Sequence, residues 1–123
     1  MAKLLLCAGA LFGMLGIVSG AFGAHALKTR LDATYLSAYE TAVQYQIYHA
    51  LALILLGSLI QLGISSQWLA WSGRFIFLGT LLFCGSLYLL ALFQWRWLGP
   101  VTPVGGLFFI IGWFCALTGF IRL

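Results

Sequence analysis

Four long apolar blocks fill most of the chain, Leu4–Ala24, Val43–Leu62, Phe75–Phe93 and Val104–Ile121, and each is about the length that crosses a bilayer. Within them only His49 ionises readily near neutral pH. Every Lys, Arg, Asp and Glu lies at a block end or in a connection. A chain of 123 residues that is 63% hydrophobic and 7% charged carries more apolar surface than a water-soluble domain of its size can hide. Lipid must therefore be its solvent. Inside hydrocarbon the backbone has to satisfy its own polar groups, which leaves helices or closed barrels. Barrel strands alternate in character over about ten residues, whereas these blocks are longer and continuous. The expected fold is all-α, an integral membrane bundle of four transmembrane helices at about 4–24, 33–62, 74–94 and 103–121. No linker, repeat or low-complexity tract divides it, so residues 1–123 read as one domain.

The net charge of +4 comes from six scattered residues, Lys3, Lys28, Arg30, Arg74, Arg96 and Arg122. They form no clustered basic face for nucleic acid and instead flank the spans, within reach of lipid headgroups. Cys7, Cys84 and Cys115 fall inside apolar blocks without metal-ligand spacing, so neither a disulfide framework nor a metal or other cofactor is expected. Lys3 followed by an apolar run imitates a secretory signal, but the run is longer than such a segment and three more spans follow it. It reads as the first transmembrane helix.

In the connections, Asp32 can cap a second helix that meets neither Pro nor Gly until Gly57. That helix is longer than the hydrocarbon core, so its first turns, with Tyr35, Tyr39 and Glu40, are expected to stand outside the membrane, lie along its surface, or tilt. Gly63–Gly73 reads as the second connection, with Trp68 and Trp71 as headgroup anchors. Thr102 and Pro103 read as cap and first residue of the fourth helix. With an even number of spans both termini share a side. Lys3, Arg74 and Arg122 there stand against Lys28, Arg30 and Arg96 opposite, three against three. Both termini are expected in the cytoplasm.

Gly9, Gly13, Gly16, Gly20 and Gly23 recur at intervals of four, three, four and three, which aligns them as one seam. Gly105, Gly112 and Gly119 repeat the device in the fourth helix at intervals of seven. Missing side chains let a second backbone approach, a main source of helix association in lipid. The seams could meet a helix of the same chain or of another subunit. Trp113, midway along the fourth helix, should turn its indole N–H inward to a hydroxyl or carbonyl.

Counted by depth from the end shared by helices one and two, polar side chains gather at one level. Ser19, Gln46, His49, Ser86 and Tyr88 lie deeper, and His25, Glu40, Gln44, Tyr45 and Thr102 nearer the surface. Tyr45 and Gln46 precede His49 by one turn and are placed to orient its ring. An intramembrane histidine can relay protons, bind a metal or recognise a polar group. Its structural alternative is a neutral ring that ties helices together.

The run Gly20–Leu27 (GAFGAHAL), Tyr45-Gln46 with His49–Ala52, Gly85–Tyr88 with Leu90–Leu92, and Thr102–Gly106 with Gly112-Trp113 together resemble the motifs of a known family. From end to end the chain is similar to the YgdD-like small inner-membrane proteins, a domain of unknown function with eukaryotic relatives. The resemblance implies a multi-pass protein of the bacterial plasma membrane and brings no activity with it.

Three functions remain in view. The first is a non-enzymatic structural or interaction component with a polar pocket on one membrane face, in contact with membrane lipids and with its own copies or another membrane protein. The second is a small transporter or permeation protein with His49 in the pathway. It lacks the glutamate that four-helix multidrug exporters carry in their first helix. An enzyme is the weakest, since Asp32 and Glu40 are the only acids and no nucleophile–base spacing stands out.

Overall fold

The computed structural model describes residues 1–64 and 66–123; Ser65, in the second connection, lies outside the described residues. Among the described residues, four helices are long and apolar enough to cross a membrane. They are α1 (Ala2–Leu27), α2 (Ala33–Gln61), α3 (Gln67–Phe93) and α4 (Val101–Ile121), the last preceded by a short 3-10 turn at Arg96–Leu98. The first three are about 40 Å long, against a hydrocarbon core of roughly 30 Å. Two of them widen locally to π-helical turns, α1 at Gly23–Leu27 and α3 at Thr80–Cys84.

Local chemistry sets the ends. Asp32 caps α2 as expected, its carboxylate accepting the Tyr35 N–H at 3.0 Å. Ser66 does the same for α3, accepting the Leu69 N–H at 3.2 Å. That cap starts α3 at Gln67, well before the expected residue 74, so Trp68 and Trp71 stand on the helix and not in a connection. Gly73 is no breaker there: a Cβ on it would lie 2.7 Å from Leu5, so it marks a contact with α1. The true break is Gly63, at φ 90° just after α2. At the other end of α3 the chain leaves through Gln94 in the left-handed region, φ 57°.

The start of α4 also differs from expectation. It begins at Val101, not 103, and Pro103 takes the third position, where a helix has no acceptor for the N–H that proline lacks. Thr102 is no cap; its hydroxyl is 2.6 Å from that of Ser86 on α3. Likewise α1 continues past 24, which places His25 on a helical turn.

Both glycine seams close within the chain. Along α1, Gly9 faces the Ala50 carbonyl and Ile54, Gly16 faces Ile47, Gly20 faces Val43, and Gly23 faces the Tyr39 ring, all on α2. Along α4, Gly105 meets Phe83, Gly112 meets Ile76 and the Ser72 carbonyl, and Gly119 meets Leu69 on α3. Ser72 adds a cross-helix hydrogen bond, donating to the Gly112 carbonyl at 2.7 Å. Gly79 on α3 is the reciprocal notch, lying under Phe109 and the Gly105 carbonyl. Two tight pairs result, α1 on α2 and α3 on α4, joined where α2 packs against α3. Leu5, Phe12, Leu53, Leu69 and Ile76 form the larger core cluster, and Ala42, Cys84, Leu87 and Phe109 a second one.

Candidate functional site

The residues of the expected polar layer divide around the bundle. On the flank between α1 and α3, Gln46 is 6% exposed and engaged at both ends. Its amide donates to the Phe12 carbonyl of α1 at 2.9 Å, and its oxygen accepts the Tyr88 hydroxyl of α3 at 2.6 Å. One side chain of α2 thus ties both neighbours. Beside it a cavity of about 280 Å³ is lined by Ser19, Gln46 and Tyr88 together with Thr80 and Cys84 of the π-helical turn.

On the opposite flank lies His49, 5% exposed. Its Nδ1 is 2.7 Å from the Tyr45 carbonyl, and its Nε2 is 3.0 Å from the indole nitrogen of Trp113. A carbonyl can only accept and an indole N–H can only donate, so the proton sits on Nδ1 and Nε2 is the acceptor. The geometry fixes a neutral ring in one tautomer. Phe109 covers it, with centroids 3.7 Å apart and planes 11° from parallel. Tyr45 stacks farther out, at 6.0 Å and 17°. A groove of about 580 Å³ opens over these rings between α2 and α4, running from Pro103 down to Trp113.

Tyr45 therefore orients His49 through its backbone, and its own ring is an exposed wall of the groove. Gln46 does not orient it; its side chain points to the other flank. Trp113 turns its N–H inward, yet to an imidazole instead of a hydroxyl or carbonyl, and the rest of the indole stays half exposed. Ser86 bonds the Phe83 carbonyl and Thr102 and so fastens α3 to the start of α4, outside both polar clusters. Ser19 contributes its backbone carbonyl, which accepts the Tyr39 hydroxyl at 2.6 Å. His25 and Glu40 are exposed and join neither cluster.

Tyr39 is a packing residue that the polar pattern of the sequence did not single out. It is buried beneath Gly23, with its ring edge-on to Tyr88. The signal was the seam itself, because a glycine at the end of α1 leaves room for a large ring on α2. Phe109 carried no polar signal and could be found only through its stacking. Among the described residues, no three of His, Cys, Asp and Glu come together as a metal-binding set.

Comparison with known proteins agrees with this architecture. Residues 19–106 match the family described as protein of unknown function (DUF423). The UPF0382 membrane protein of Staphylococcus haemolyticus is 50% identical over 111 residues, 90% of this chain and 89% of that protein. The chain belongs to this family. The UPF0382 membrane protein of Staphylococcus saprophyticus is 44% identical over 121 residues, 98% of this chain and 99% of the relative. The UPF0382 inner membrane protein YgdD of Escherichia coli K12 is 43% identical over 121 residues, 98% and 92% of the two chains. No solved structure matches. The protein is thus a multi-pass protein of the bacterial plasma membrane, in a family without an assigned activity. The matched region of the DUF423 protein includes Gln46, His49 and Tyr88 but neither Phe12, the partner of Gln46, nor Phe109 and Trp113, the partners of His49.

Proposed function

We propose that this DUF423 protein is a non-enzymatic interaction component of the membrane, a rigid bundle that offers the groove over His49 to another membrane protein. The supporting observation is the saturation of His49. One nitrogen donates to a carbonyl of its own helix, the other accepts from Trp113, and a phenylalanine ring covers one face. A relay histidine needs a nitrogen that can exchange its partner, and a ligating one needs a free lone pair. This ring has neither. It works as a fixed wall that holds Trp113 and Phe109 in place, which weighs against the permeation alternative and against catalysis. The groove follows the flank of the bundle, not one membrane face, so its partner approaches sideways within the bilayer.

The test is a photo-reactive residue at Leu107 or Ile110, both on the groove wall, with crosslinking in intact membranes. The reading expects a discrete protein adduct, either a second copy or another membrane protein, that is lost when the same residue is placed at Ile17 on the outer face of α1. Crosslinks to lipid alone, together with His49-dependent solute or proton flux in proteoliposomes, would transfer the assignment to permeation.

A further inference from the structure

Charge is divided unevenly between the two ends of the bundle. The end where α1 and α3 begin and α4 stops carries Lys3, Arg74 and Arg122. It carries no acidic side chain, because Asp32 and Glu40 are the only acids in the sequence and both stand at the other end. Roughly 30 Å of helix separates Glu40 from the end of α2, so no carboxylate side chain of this chain reaches these arginines. The opposite end sets both carboxylates against Lys28, Arg30 and Arg96.

At the acid-free end each of the two arginines is held against a tryptophan of α3. The Arg74 guanidinium lies 4.6 Å from the centre of the Trp71 ring, and that of Arg122 lies 5.5 Å from Trp68. Trp68 and Trp71 are one turn apart on α3, and Gly119 lets the last turn of α4 close on Trp68, so both guanidiniums lie against the first turns of α3. Leu5 packs on Gly73 and brings the first turn of α1 to the same end of α3, with Lys3 on its exposed side. α3 exceeds the hydrocarbon core by about 10 Å, and indole rings such as those of Trp68 and Trp71 in its first turns settle at headgroup depth.

We propose that this end of α3 and α4 binds the phosphate headgroup of an anionic phospholipid. Stacking occupies the face of each guanidinium and leaves its donor edge free, and that edge matches two phosphate oxygens at once. The tryptophans immobilise side chains that would otherwise lose rotamer freedom on binding. The complement is anionic because three cations face no acidic side chain. The ligand is a lipid because the rings under both guanidiniums, Trp68 and Trp71, are of the kind that settles at headgroup depth.

The experiment is native mass spectrometry of the full chain in detergent, titrated in parallel with phosphatidylglycerol, phosphatidylcholine and inorganic phosphate. Wild type should prefer phosphatidylglycerol to phosphatidylcholine by about tenfold, a preference that shrinks with added salt. R74Q and R122Q should each weaken phosphatidylglycerol binding about fivefold and together about 25-fold, whereas K28Q/R30Q at the other end should change it less than about twofold. R74K/R122K keeps the charge without the planar fork and should fall between wild type and the glutamine pair. It also decides the question, with the wild-type preference, if the glutamine pair fails to fold. Equal binding of the two lipids overturns the proposal, as does unchanged binding by a folded R74Q/R122Q or by R74K/R122K. Displacement of phosphatidylglycerol by millimolar inorganic phosphate would overturn the lipid assignment and leave a soluble-anion site.

Discussion

Gly9 and Gly13 stand in the same seam four residues apart, yet one methyl group should move stability in opposite directions at the two positions. A Cβ at Gly9 would lie 2.7 Å from the Ala50 carbonyl oxygen, 2.7 Å from Ile54 Cγ1 and 3.1 Å from the Ile54 nitrogen. Two of those atoms are backbone and cannot rotate aside, so α1 and α2 must separate. Overpacking of that kind costs about 1–3 kcal/mol, partly offset by the ~0.5–1 kcal/mol that alanine gains over glycine inside a helix. G9A should therefore lose about 1–2 kcal/mol. At Gly13 the nearest atom is Ala50 Cβ at 4.0 Å, an ordinary contact, so G13A should keep most of the helix gain, about 0.5 kcal/mol. The gap of about 2 kcal/mol is roughly 30-fold in the folding equilibrium, well within the resolution of reversible unfolding in mixed dodecylmaltoside and SDS micelles followed by circular dichroism. Gly16 gives an internal standard. There the close contact is Ile47 Cγ1 at 2.8 Å, a side chain able to change rotamer, so G16A should fall between the two. Equal shifts for G9A and G13A would refute the packing of α1 on Ala50 and Ile54. A change in oligomeric state without a change in unfolding would place the seam at a subunit contact instead.

The two polar flanks yield further tests. Q46L removes the acceptor that the Tyr88 hydroxyl uses on α2 and should cost about 1–2 kcal/mol, Y88F about 1 kcal/mol, and the pair less than their sum by about 0.6–1.7 kcal/mol, measured as a double-mutant cycle in the same micelles. Strict additivity would mean that the two side chains do not interact. With histidine selectively labelled with nitrogen-15, solid-state spectra should show His49 protonated on Nδ1 and hydrogen-bonded as an acceptor on Nε2. W113F should shift only the Nε2 resonance. A proton found on Nε2 in the wild type would overturn the tautomer and the saturation argument with it.

How far the sequence could be read depends on which coordinate a residue pattern encodes. Length and apolarity encode depth, so four spans, the Asp32 cap and the level of the polar residues were all visible. Spacing encodes alignment along one helix, so the glycine seams were visible as seams. Neither encodes which neighbour a face meets, and the seam partners emerged only when Gly9 met Ala50 and Gly112 met Ile76. Boundary errors have a similar origin. Gly73 and Pro103 were read as punctuation, whereas one is a contact notch and the other occupies a first-turn site where proline does no harm. The cap that decides where α3 begins is a single serine hydroxyl, easily outweighed in a sequence reading by the glycines around it.

The division of the polar layer shows the same limit at the site. Residues three apart on a helix differ by about 300° of rotation, equivalent to 60° the other way, and residues four apart by about 40°. Gln46 and His49 occupy nearly one depth, yet a 60° turn on a helix with neighbours on both sides is enough to send one to α1 and α3 and the other to α4. Depth alone merged them into a single pocket, whereas the bundle uses them as two separate ties. The difference matters for function, because a merged pocket would have given His49 a polar neighbour with which to exchange a proton. Separated, its ring finds only a carbonyl, an indole N–H and an aromatic face, a set that holds one protonation state and offers no route to another. On the proposed reading the histidine is the fixed pin of an aromatic wall, and the function of the groove should depend on the shape of that wall more than on the basicity of the ring.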